Sequence, residues 1–236
     1  MASKRSPKYQ ESAAKIDSTK LYGVKEAVEA SLDAAYANFD ETVEVAFRLG
    51  VDPRHADQMI RGAASLPNGT GKTTRVVVIT SGEKIALAEK AGADLAGGDD
   101  VITKIQGGWM EFDRVIASPE MMGKVGKVAR ILGPRGLMPN PKLGTVTPNI
   151  ENAVKEQKAG KVQYRTEKTG IIHLPIGKKS FGPDKLMENL KAVCSLIVKA
   201  KPVSAKGTYV KSVTLSTSMG PGVKCDTSEI VLMGER

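Results

Sequence analysis

Leu66-Pro-Asn-Gly-Thr-Gly-Lys-Thr-Thr-Arg-Val-Val-Val-Ile-Thr80 is where the chain changes character. Its middle, Gly69 to Thr73, looks like a phosphate-binding P-loop. That motif needs a glycine five positions before Gly71, where Leu66 stands, and must lead from a strand into a helix. Here it leads into Arg75 to Thr80, an apolar and β-branched run that reads as a strand. Gly69 to Thr73 is therefore read as a flexible linker.

Beyond the linker, short apolar strands alternate with helical patterns: strand 75–80, helix 83–91, strand 94–96, helix 100–106, strand 114–117 and helix 119–132. Such a rhythm implies a small parallel sheet with helices on its faces. Ile131 to Lys142 follows as the chain's densest run of glycine and proline, incompatible with a regular helix or a central strand. On local chemistry it is either a plain connector or a contact surface for RNA or protein. Pro148 and Asn149 then open a helix over 150–159.

The flanking segments read differently. Residues 1–19 are polar and basic without periodicity, as expected of a tail. Apolar residues from Val24 to Phe39 recur at helical spacing, and Thr42 to Leu49 alternates with period two, as in a half-buried strand. Asp52-Pro53 reads as an N-cap opening a short helix to about Ala64. After Gly160, two strands are expected around the turn 166–170, then a helix over 184–200 ended by Pro202 and a strand over 208–218. The expected fold is a discontinuous α+β domain, 1–68 plus 160–236, carrying an inserted α/β (Rossmann-like, three-layer) domain, 69–159. Hinges are expected near 66–69 and 158–160, because two linkers allow bending while limiting twist.

Lys plus Arg exceed Asp plus Glu by 35 to 26, a formal charge of +9. Residues 1–68 hold 9 basic and 10 acidic side chains, 69–158 hold 13 and 10, and 161–236 hold 13 and 6. Excess positive charge in the last third favours a nucleic-acid partner over a merely solvated surface. The two cysteines, Cys194 and Cys225, have neither metal-ligand nor disulfide-framework spacing. His55 and His173 form no catalytic or metal constellation. No segment reaches the roughly 18 apolar residues of a membrane span, and no apolar stretch follows the charged N-terminus, so a cytoplasmic protein is expected. The residues alone leave three classes open: an RNA binder, a nucleotide-dependent enzyme using Gly69 to Thr73, and a protein-interaction module.

Five separated motifs narrow the choice: Gly133-Pro-Arg-Gly-Leu-Met-Pro-Asn-Pro-Lys142, Phe39-Asp-Glu-Thr-Val-Glu44, Gly107-Gly-Trp-Met110, Glu167-Lys-Thr-Gly170 and Ser218-Met-Gly-Pro221. In this order, across essentially the whole chain, they resemble the bacterial large-subunit ribosomal protein L-one family. The resemblance implies a non-catalytic protein without cofactor or metal, bound to ribosomal RNA of the mobile stalk and assisting movement and release of deacylated tRNA at the E site. It further implies translational repression through the messenger RNA of the protein's own operon, and a monomer when free of the ribosome. The discontinuous domain would hold the RNA.

Carried over residue by residue, the implied RNA contacts are Phe39, Thr42, Glu44, Lys168, Thr169, Ser212, Ser218, Met219 and Gly220. Phe39 offers an apolar face, Thr42, Thr169, Ser212 and Ser218 offer hydroxyls, and Lys168 offers a charge for phosphate. Glu44 can accept from a ribose 2′-OH, and Met219 can pack on ribose while Gly220 leaves room for close approach. Arg135 and Lys142 are secondary candidates for tRNA or stalk RNA. Asn38 and Ser218 depart from the family pattern, which commonly has a basic residue and a threonine there.

Overall fold

The computed structural model describes residues 6–235. The chain divides into two compact units, one built from residues up to 71 and from 162 onward, the other Lys72–Lys161.

In the first unit, helix α1 (Pro7–Ala14) starts at Ser6, whose hydroxyl accepts from the Tyr9 N–H. The expected tail is thus a helix over these residues, anchored by buried Ser12, which donates to the Ala34 carbonyl. Residues 1–5 of that tail lie outside the described residues. Helix α2 (Val24–Asp33) stops well before Phe39. Lys15 and Lys179 donate to the carbonyls of Asp33 and Ala35, satisfying acceptors that further helix would have used. Its other end is served from far along the chain, where the Glu229 carboxylate accepts from the Val24 N–H at 2.7 Å.

Strand β1 (Thr42–Leu49) alternates as its sequence demands, with Val43, Val45, Phe47 and Leu49 buried. The helix expected to Ala64 is instead a turn followed by β2 (Arg61–Ser65). Small residues suit a strand there because the Tyr164 ring lies against Gly62, where an added Cβ would sit 2.7 Å from the Tyr164 hydroxyl.

The second unit holds β3 (Val76–Ile79), α3 (Lys84–Lys90), β4 (Leu95–Gly97), α4 (Asp99–Gln106) and β5 (Arg114–Ala117). The strands are parallel in the order β4-β3-β5. Val77 and Ile79 pack with Val101 and Ile105 of α4, while Val76 and Val78 pack with Ala88 of α3 and with Ile150 and Val154. The helix expected over 119–132 is broken into single turns, including α5 (Met122–Val125) and α6 (Ala129–Leu132). Gly123 and Gly126 lower its helical propensity. Helix α7 (Ile150–Lys158) closes the unit, capped by the Asn149 side chain accepting from the Asn152 N–H.

Strands β6 (Lys161–Arg165) and β7 (Ile171–Lys178) do not form the expected pair around 166–170. β6 joins β2, whereas β7 lies antiparallel to β1. The turn carries the chain from one sheet to the other, which the left-handed Gly170 (φ +80°) permits. Helix α8 (Gly182–Lys199) and strand β8 (Val210–Thr217) follow, then two elements that the patterning did not suggest, β9 (Val223–Cys225) and α9 (Thr227–Glu235). The main sheet runs β7-β1-β8-β9. Its inner face packs on residues of α2, α8 and α9, among them Val28, Leu190, Val193 and Ile230.

Candidate nucleic-acid interface

The start of β1 meets the end of β8 through Glu41, a wholly buried carboxylate between two exposed loops. One Glu41 oxygen accepts from the Ala37 N–H at 2.7 Å, and the other from the Met219 N–H at 3.0 Å. Burial is the largest influence on this carboxyl and pushes its pKa up. The backbone donors of Met219 and Ala37, the Thr217 hydroxyl and the Lys179 charge outweigh it and hold the group below the ordinary range. Glu41 thereby pins the Phe39 loop and the Met219 loop at one end of the sheet. Phe39 is 56% exposed and Met219 49%, although both are large apolar side chains.

Neighbouring groups stiffen this end. The Ser218 Oγ accepts from the Thr42 N–H at 3.1 Å, and Lys178 Nζ donates to Thr42 Oγ1 at 2.9 Å and to the Asp40 carbonyl at 3.3 Å. Asp40 accepts from the Ser180 hydroxyl at 2.7 Å, and this bond keeps its carboxyl below the usual value. Gly220 has an internal reason to be glycine. An added Cβ would be driven into Thr217 Oγ1, the acceptor for the Gly220 N–H.

From this end the outward face of the sheet runs along β1. Glu44 sits between Pro175 and Ser216, Ala46 between His173 and Thr214, and Arg48 between Ile171 and Ser212. Glu44 is exposed and has no hydrogen-bond or ion-pair partner among the described residues, so its oxygens are available as acceptors. At the far end, Lys168 and Thr169 are exposed on the turn closed by the bond from the Gly170 N–H to the Glu167 carbonyl, and Gly170 in turn accepts from the Leu49 N–H. His173 lies 3.9 Å from Glu167.

The nine carried-over residues thus fall into two groups on one unit. Phe39, Thr42, Glu44, Ser218, Met219 and Gly220 gather at the start of β1, and Lys168, Thr169 and Ser212 at its end. Six residues of strand separate the groups by about 20 Å. Arg135 and Lys142 belong to the other unit, both exposed. Arg135 lies on the turn closed by the Gly136 N–H bond to Gly133, and Lys142 has its N–H bound to the Asn140 side chain. Lys72 of the failed P-loop pairs with Asp113 at 2.7 Å.

Residue-type reasoning missed Glu41 and the lysine pair Lys178 and Lys179. Glu41 lay inside a quoted motif, and its place beside alternating Thr42 to Leu49 put it on the inner side of the sheet. An acidic residue at an inward position was the available signal. Among the described residues, no group of three or more His, Cys, Asp or Glu could hold a metal ion. No described helix is long and apolar enough to cross a membrane.

A large-subunit ribosomal protein uL1 of Macrococcus caseolyticus (strain JCSC5402) is 57% identical over 227 residues, covering 96% of this chain and 98% of that protein. The model of the ribosomal protein L1p/L10e family matches residues 30–221, a span that includes every candidate contact residue and the segments 66–69 and 158–160. The chain therefore belongs to the ribosomal protein L1p/L10e family.

Proposed function

We propose that the outward face of the β7-β1-β8-β9 sheet, with the loops at its two ends, binds ribosomal RNA of the mobile stalk, making this chain a non-enzymatic structural constituent of the large ribosomal subunit. One observation carries the reading: a single buried carboxylate, Glu41, holds two loops that display Phe39 and Met219 to solvent beside the unpartnered acceptor Glu44. Exposed apolar side chains on pinned loops suit ribose and base surfaces, and a free carboxylate suits a 2′-OH, which DNA lacks. Lys168, Arg48, Lys178 and Lys179 supply the phosphate contacts.

The finer reading follows the family. The same face takes a stalk-like element in the messenger RNA of the protein's own operon, so free protein represses translation. The second unit, hinged near 66–69 and 158–160, moves with deacylated tRNA at the E site, with Arg135 and Lys142 as candidate contacts. The protein is monomeric before assembly.

The test is a salt series of equilibrium binding to a stalk RNA, its DNA counterpart and an unrelated RNA duplex. The expected result is a stalk-RNA affinity that falls moderately with salt and exceeds both controls at every concentration. Equal affinity for stalk RNA and unrelated duplex at moderate salt would overturn the proposal.

A further inference from the structure

The far end of the same sheet holds a feature that the nine contacts leave unexplained. An open cleft of about 920 Å³ lies between the 53–59 turn and the 165–169 segment, within the size range of small-ligand sites. Pro53 and Met59 give it an apolar lining. Arg54, Arg165 and Lys168 border it, against one carboxylate, Glu167, which already faces His173. Arg54 and Lys168 have no ion-pair partner among the described residues. Arg165 reaches only the Met59 sulfur, at 3.9 Å.

Both walls are built before any ligand arrives. On one side Asp52 accepts from the Arg54 N–H at 3.0 Å, Gln58 accepts from the Asp52 N–H at 2.8 Å, and the Gln58 N–H reaches the His55 carbonyl at 3.1 Å. On the other, buried Thr166 ties β6 to this turn, its N–H and hydroxyl both donating to the Ile60 carbonyl. A cleft held this way loses little entropy on filling.

From these features we infer that the cleft receives one unstacked nucleotide of the bound RNA, its base against Met59 and Pro53 and its phosphates on Arg54, Arg165 and Lys168. The inference rests on the RNA-binding reading above. An apolar floor ringed by cations without an ion-pair partner matches the two halves of a nucleotide, and an anionic ligand is favoured because three cations and one carboxylate line the cleft. Lys168 belongs both to the cleft and to the RNA face, so a strand crossing the sheet can place a base there without leaving it. Extruding a base is least costly where it is already unpaired, so the site selects a bulged or loop nucleotide.

The experiment uses the full chain and a stalk-RNA fragment carrying 2-aminopurine at each unpaired position in turn. This base brightens when unstacked, and among the described residues no aromatic ring lines the cleft to quench it. One position should brighten severalfold on binding. Met59→Trp, which places an aromatic ring in the cleft, should quench the brightening at that one position and leave the salt slope unchanged. Arg54→Ala with Arg165→Ala should weaken binding about tenfold and make the salt slope shallower by about two. Phe39→Ala, at the other end of the face, should weaken binding and keep the bright position. All four substituted side chains are exposed, and thermal melts check that the variants fold. If stalk RNA binds specifically but no position brightens, this inference falls and the RNA-binding reading stands. If every cleft variant binds RNA like the wild type, the cleft takes no part in RNA binding and the inference is again overturned. If stalk RNA binds no better than an unrelated duplex, both readings fall.

Discussion

Glu41→Gln is the sharpest perturbation of this protein, because it changes one atom where two loops are joined. Two different carboxylate oxygens of Glu41 accept from Ala37 and from Met219. Glutamine has one carbonyl oxygen and one NH₂ group, so one of the two backbone N–H donors must face another donor. Hydrogen bonds to charged groups contribute about 1.5–3 kcal/mol each, and a buried unsatisfied donor costs a similar amount. The expected loss is about 2–3 kcal/mol of stability in the first unit. At 2–4 °C per kcal/mol this lowers its melting temperature by about 4–12 °C. The freed loop must then be ordered on binding, so stalk-RNA affinity should fall at least tenfold, about 1.4 kcal/mol. Urea and calorimetric melts measure the first effect, and equilibrium RNA binding the second. Glu44→Gln is the control: exposed and unpartnered, it should leave stability within about 0.5 kcal/mol while reducing preference for RNA over DNA. A Glu41→Gln protein that melts within about 1 °C of wild type and binds RNA equally would refute the assignment of Glu41 as the positioning residue.

Four further outcomes are expected. The Glu41 and Asp113 carboxyls lie below their ordinary values of 4.5 and 3.8, Asp113 chiefly through its bond to Lys72, so their stabilisation is complete at neutral pH. It should be lost progressively as pH falls below those values, visible as a drop in denaturation midpoint between neutral and strongly acid buffer. Burial pushes the Cys194 and Cys225 thiols up to about 12, so neither should react with iodoacetamide at pH 8 until urea unfolds the chain. Gly220→Ala should destabilise the first unit by about 1–3 kcal/mol even without RNA, because the new methyl meets Thr217; an unchanged melt would contradict that packing. Tyr209→Phe removes the buried bond to the Ile197 carbonyl and should cost about 1 kcal/mol in urea denaturation.

Much of this molecule was legible without coordinates wherever neighbours in sequence are also neighbours in space. The period-two run Thr42 to Leu49 and the β-branched Val76 to Ile79 form strands because alternate or all side chains are buried. The α8 pattern likewise survives, because its apolar stripe repeats within one helix. Reading failed where a distant partner decides. Arg61 to Ser65 looks like the end of a helix, yet pairs with β6 some hundred residues later. The turn at 166–170 looks like a hairpin, but β1 captures β7 and β2 captures β6. Pro7 to Ala14 has little apolar content, and its helix is held by Ser12 and Lys15 reaching the end of α2.

The candidate site divides in the same way. Motif order alone named Phe39, Glu44, Lys168 and Met219 as candidates, because the chemistry that suits an exposed side chain to a ligand resides in that side chain. Their grouping could not be read from the linear chain: β1 running between β7 and β8 gathers six of the nine at one end and three at the other. Nor could the role of Glu41, an acid on the inner side of an alternating strand, whose two acceptors meet donors from positions 37 and 219 only when the sheet is assembled. Sequence by itself determined the family and the types of most elements and named the candidate contact residues, all carried by local pattern. Tertiary structure alone decided which strands pair, which loops are pinned together and where an apolar cleft ringed by cations opens, because each needs segments far apart in the chain to share one place.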